Sequence, residues 1–79
     1  MSMNLQLLMT DHCSLCEEAL DLLLSMPQLQ GLGLQTIDIA TDDALLEQYG
    51  ACIPVLRTEA TELRWPFGKE DIRQAIAGA

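Results

Sequence analysis

Positive charge is scarce in this chain. Four of its 79 residues are Lys or Arg (Arg57, Arg64, Lys69 and Arg73) against twelve Asp and Glu, for a net charge of −8. So acidic a surface repels phosphates, which excludes nucleic acid and anionic membranes as partners, and no basic cluster accompanies the cysteines. Long apolar runs are missing as well. The longest, Leu20 to Met26, is interrupted by Asp21 and falls far short of the ~20 residues that a membrane span requires. No Lys or Arg precedes the first apolar run, and "LQLLM" is too short for the core of a signal peptide, so export is not expected and the cytoplasm is the default. Internal repeats, low-complexity tracts and linkers are absent too. The expectation is one domain over residues 1–79, monomeric, with enough apolar content (49%) for a modest core.

Cysteine is present in an odd number, three, which does not suit the disulfide framework of a small secreted protein. Two of the three form a CxxC, Cys13-Ser14-Leu15-Cys16. In a reducing compartment that spacing indicates redox chemistry or metal binding. The surrounding pattern places the pair. Met3 to Met9 is apolar with Asn4 and Gln6 interleaved, which suits a strand, and Thr10-Asp11-His12 breaks it. From there to Met26, Cys16, Ala19, Leu20, Leu23 and Leu24 recur at helical spacing, so a helix starts at or just after Cys13 and ends at Pro27. Leu32 to Ile39 alternates as a second strand. The resulting βαβ unit calls for parallel strands and a right-handed crossover.

Beyond it, Asp42 and Asp43 open a short helix that Gly50 closes. Ile53 to Leu56 and Thr61 to Trp65 form two short strands joined around Glu59-Ala60. Gly68 to Ala77 is the last helix, with Ile72, Ala75 and Ile76 on one face and Glu70 and Asp71 in its first turn.

A CxxC that ends a first strand and opens a helix, with an X-Pro ahead of a later strand, resembles the thioredoxin fold. More specifically, "MTDHCSLCEEA" from Met9, "DI" at Asp38, "YGACIPVL" from Tyr49 and "WPF" at Trp65 resemble the bacterial glutaredoxin-like proteins, a compact branch of that superfamily, over Leu5 to Ile76. The resemblance implies an α/β fold, βαβ(α)ββα: a four-stranded mixed sheet in the order second, first, third, fourth strand, with helices on both faces. It also implies a nucleophilic Cys13, a resolving Cys16 and a cis peptide at Ile53-Pro54 facing them. The expected activity is thiol–disulfide exchange on protein or glutathione mixed disulfides. No cofactor is expected to bind tightly, and glutathione enters as a possible co-substrate.

The residues bear on each of these points. A cysteine at a helix N-terminus faces unpaired backbone N–H groups and the positive end of the dipole, which favours a thiolate below the free-thiol pKa of ~8.5 and makes Cys13 the attacker. Cys16, one turn on and facing inward, is placed to attack the mixed disulfide. His12 is a loop residue beside the thiol. Pro54 reads either as an ordinary strand start or as the cis proline whose neighbour Ile53 pairs with an extended substrate. Cys52 is either a small buried apolar residue or a third thiol near the site, and Trp65 and Phe67 either seal the core or line a groove.

The chain also departs from glutaredoxins. Thr10 stands where they carry a base, Ser14-Leu15 replaces their Pro-Tyr, and Trp65 to Gly68 lacks their glycine pair. What remains for an anionic substrate is the start of the last helix at Gly68 and Lys69. Two other classes stay open. One is a metal or iron–sulfur carrier using the cysteines, although tetrahedral zinc needs four ligands and adjacent His12 and Cys13 would strain to share one ion. The other is a thioredoxin-like interaction domain without turnover.

Overall fold

Alternation of side chains along Asn4–Met9 is carried into three dimensions as strand β1, with Leu5 and Leu7 toward one layer and Leu8 toward the other. The computed structural model describes residues 4–29, 31–59 and 61–77, apart from the side chain of Gln28, so the expected strand residue Met3 and turn residue Ala60 lie outside the described residues. Helix α1 runs Ser14–Leu24, β2 Gly33–Asp38, α2 Asp43–Tyr49, β3 Val55–Arg57, β4 Glu62–Arg64 and α3 Lys69–Ala77; single 3-10 turns occupy Pro27–Leu29 and Ile39–Thr41. The sheet order is β2-β1-β3-β4. β1 and β2 are parallel, as the βαβ reading requires, and the β1–β3 and β3–β4 pairs are antiparallel.

Two apolar layers flank this sheet. Leu5, Leu7 and Leu56 meet Ala19 and Leu23 of α1 and Ile72 of α3, with Met26, Leu29 and Phe67 closing the layer. On the opposite face Leu8 and Val55 meet Ile39 and Tyr49, which places α2 there. Each fully buried Leu or Ile contributes roughly 1.5–3 kcal/mol by leaving water, so these two layers are the main source of stability.

Three local features depart from the sequence reading. Helix α1 stops at Leu24, before Pro27, because the Ser25 hydroxyl and backbone N–H both donate to Leu22 O and turn the chain; Met26 then enters the core. As a result Leu24 is 68% exposed and does not join the packed face. The second strand ends at Asp38, whose carboxylate accepts from Ala40 N–H at 2.9 Å and starts the 3-10 turn at Ile39. Gly50 does close α2, with right-handed dihedrals: a Cβ there would lie 2.5 Å from Leu46 O, a space only glycine leaves open.

Candidate active site

Asp42 and Asp38 cap their helical turns with carboxylates; α1 is capped by sulfur. Cys13 is extended (φ −116°, ψ 102°), and its Sγ accepts from Cys16 N–H at 3.2 Å, while Cys13 O accepts from Glu17 N–H at 3.1 Å. The nucleophile of the sequence reading therefore holds the first turn of α1 and sits where the helix presents its positive end. Cys13 and Cys16 form a disulfide with Cα atoms 5.2 Å apart. Their surroundings differ sharply: Cys13 is half-buried and Cys16 is 0% exposed.

The loop that delivers Cys13 is braced from β2. Thr10 Oγ1 donates to Asp38 Oδ1 at 3.2 Å, the same oxygen that accepts from Ala40 N–H. The β1–β2 register, which ends on Met9 opposite Asp38, is what brings the two together. The sequence reading had Thr10 as a strand breaker and the place of a missing base, and Asp38 near the end of the second strand; parallel register was the signal that pairs them. His12, exposed in this loop, has φ +58°, the left-handed region that a side chain enters at a cost.

Topology places the other expected residues at the same end of the sheet. Val55 pairs with Leu8, so Pro54, just before it, stands where β1 gives way to the Cys13 loop. Pro54 is buried and Ile53 half-buried. The Ile53–Pro54 peptide is cis, as is Trp65–Pro66, which the sequence reading did not foresee. Trp65 N–H donates to Pro54 O at 3.2 Å, tying the chain after β4 to this point.

β4 runs parallel to β1, so α3 also starts at the cysteine end. There the Gly68 N–H, expected to receive an anionic substrate, donates to Asp71 Oδ2 at 2.8 Å. A carboxylate of the chain itself therefore occupies that donor. Lys69 is exposed beside it. Trp65 and Phe67 meet edge to face (centroids 5.2 Å apart, planes at 81°) and pack on the α1–α3 layer, so they seal the core. Cys52 packs half-buried against the Leu8, Ile39, Tyr49 and Val55 layer and keeps a free thiol.

Arg57 is far from this end. It donates to Gln6 Oε1 at 2.6 and 3.1 Å and lies over the Tyr49 ring, whose hydroxyl donates to Glu62 at 2.7 Å. These four residues join α2 to three strands, and Gln6, Arg57 and Glu62 border a shallow cleft of about 380 Å³ also lined by Thr58, Glu59 and Thr61. Among the described residues, no three His, Cys, Asp or Glu side chains converge as ligands for a metal ion, and no helix is long and apolar enough to cross a membrane.

Comparison with known proteins agrees with this architecture. No curated protein matches the chain. Among solved structures, the protein XcR50 of X. campestris is similar: its X-ray structure superposes with a TM-score of 0.79 at 34% identity, over 95% of this chain and 97% of that one. Its solution structure gives 0.77 at 34% identity, over 95% and 94%. A CxxC pair at the head of α1 and a thioredoxin-like sheet fit a thiol redox role. The glutaredoxin-like domain family (DUF836) matches residues 4–77, nearly the whole chain, and the chain belongs to that family.

Proposed function

We propose that this protein is a thiol–disulfide oxidoreductase of the cytoplasm in which Cys13 attacks and Cys16 resolves. The observation that carries this reading is the asymmetry of the pair: a half-buried cysteine whose sulfur caps a helix N-terminus, bonded to a cysteine that is fully buried. In the reduced protein the Cys13 thiolate attacks one sulfur of a substrate disulfide, and the second substrate sulfur leaves as a thiolate that takes up a proton. Cys16, deprotonated, then attacks Cys13 Sγ, breaks the mixed disulfide and releases the substrate as a dithiol. Two electrons have passed to the substrate and the protein is left with its Cys13–Cys16 bridge. An external thiol, glutathione or another dithiol protein, returns it to the reduced state.

Ile53 and Pro54 would flank the substrate as it lies across Cys13, with Ile53 offering backbone groups to an extended chain. His12 and Lys69 complete the rim. No tightly bound cofactor enters this scheme. The test is reduction of 2-hydroxyethyl disulfide, a small neutral substrate, by wild type, Cys13→Ser and Cys16→Ser. Wild type is expected to turn over, Cys13→Ser to be inactive, and Cys16→Ser to accumulate a mixed disulfide visible by mass. Turnover by Cys13→Ser equal to wild type would overturn the assignment.

A further inference from the structure

The charge of this chain is not spread evenly. Residues 1–56 hold eight Asp and Glu and no Lys or Arg, whereas residues 57–79 hold four of each sign. The whole net charge of −8 therefore belongs to the segment that carries the cysteines. Asp11, two residues before Cys13, and Glu17 and Glu18 of α1 are all exposed, and Glu17 stands one helical turn from Cys13. Of the basic residues, Arg57 is held on the far part of the sheet by Gln6, and Arg73 pairs with Glu70 at 3.0 Å. Arg64 and Lys69, at the cysteine end, are accompanied by Glu70 and Asp71 at the start of α3.

A second feature lies inside the motif. Leu15, between the cysteines, is 46% exposed, one of three large apolar side chains so exposed among the described residues. The other two, Leu24 and Leu46, stand at the end of α1 and on α2, away from the sulfurs. An exposed apolar side chain in the first turn of α1 offers contact to an apolar group, and the exposed carboxylates of Glu17 and Glu18 on the same helix repel anions.

We infer that the substrate is a protein disulfide whose cysteine lies in a basic segment, with Lys or Arg beside it and an apolar residue that settles on Leu15. This inference rests on the oxidoreductase reading above and names its substrate class. The carboxylates raise the encounter rate with a cationic segment and lower it with an anionic one, an effect strongest at low ionic strength. Leu15 adds contact area at the point where the sulfurs must meet.

Single-turnover reduction by the dithiol protein decides the matter, using three substrates: a disulfide-bridged peptide with Lys beside its cysteines, the same peptide with Glu there, and 2-hydroxyethyl disulfide. The Lys peptide is expected to react at least about tenfold faster than the Glu peptide at low salt, with the ratio shrinking as salt rises. The Glu17→Gln, Glu18→Gln double variant should reduce that ratio. A ratio is the right readout because a change in Cys13 thiolate content affects both peptides alike. Leu15→Ser should slow a peptide with Leu next to its cysteine several-fold relative to one with Ser there. Equal rates for the Lys and Glu peptides, at any salt, with the neutral disulfide still reduced, would overturn the substrate class alone. Failure to reduce any of the three would overturn the oxidoreductase reading and this inference with it.

Discussion

Cys16 has no exposed surface, while Cys13 is only half-buried at the head of α1. Access and the helix terminus favour the same atom, so in the reduced protein iodoacetamide should modify Cys13 well before Cys16. Peptide mapping after partial alkylation checks this; a Cys16 adduct appearing first would reverse the two roles. Cys52, half-buried against Tyr49 and Val55, should react between or after them and serves as the internal reference. The carboxylates of Asp11, Glu17 and Glu18 work against thiolate formation, but all three are exposed, where water and salt weaken their effect. His12 shows a different constraint. With φ +58° it bends the loop that Thr10 anchors to Asp38, so the residue just ahead of the nucleophile is set by backbone shape as well as by side-chain chemistry.

Helix α1 separates what pattern can and cannot say about an element. Cys16, Ala19 and Leu23 are buried as their spacing requires, yet Leu24, on the same pattern, is in solvent because Ser25 ends the helix there. Leu23→Ala should therefore cost about 2–5 kcal/mol in urea unfolding, the range for emptying a packed leucine site. Leu24→Ala should stay within about 0.5 kcal/mol, as for surface changes in general. Equal losses at the two positions would mean that Leu24 is covered by something the chain itself does not supply.

The strands and all three helices were legible because each follows from periodicity or from Pro, Gly and Asp punctuation that acts locally, whereas the sheet order was implied only by the resemblance to glutaredoxin-like proteins. The bond from Gly68 N–H to Asp71 and the brace from Thr10 to Asp38 were less so. Asp71 was visible as an acidic first-turn residue, but whether it meets the Gly68 amide or solvent depends on a rotamer. The Thr10 brace depends on parallel register across 28 residues, which pattern leaves unstated. The Arg57, Gln6, Tyr49 and Glu62 network is of the same kind: four residues from four elements, joined only once the sheet has formed.

At the scale of the whole molecule, the acidity of segment 1–56, which carries the thiols, has a consequence for glutathione. Glutathione carries two carboxylates at neutral pH. The chain offers it no base at Thr10, and the Gly68 amide at the head of α3 is already bonded to Asp71. Arg57 is engaged with Gln6 at the opposite end of β3, which leaves Lys69 and Arg64 as the nearest cations. Long-range repulsion from a net charge of −8 acts on every approach to Cys13, and screening weakens it, since the Debye length falls from ~30 Å at 0.01 M to ~10 Å at 0.1 M salt. Deglutathionylation of a neutral glutathionylated peptide should therefore be slow at low salt and rise severalfold as salt is added, the reverse of a basic-site enzyme. Asp71→Asn should raise the low-salt rate, because it removes a charge from the one helix terminus able to receive a carboxylate. Steady-state kinetics across ionic strength test both. Rapid turnover at low salt that falls as salt is added would mean that Lys69 and Arg64 together form a glutathione site strong enough to outweigh the net charge of −8.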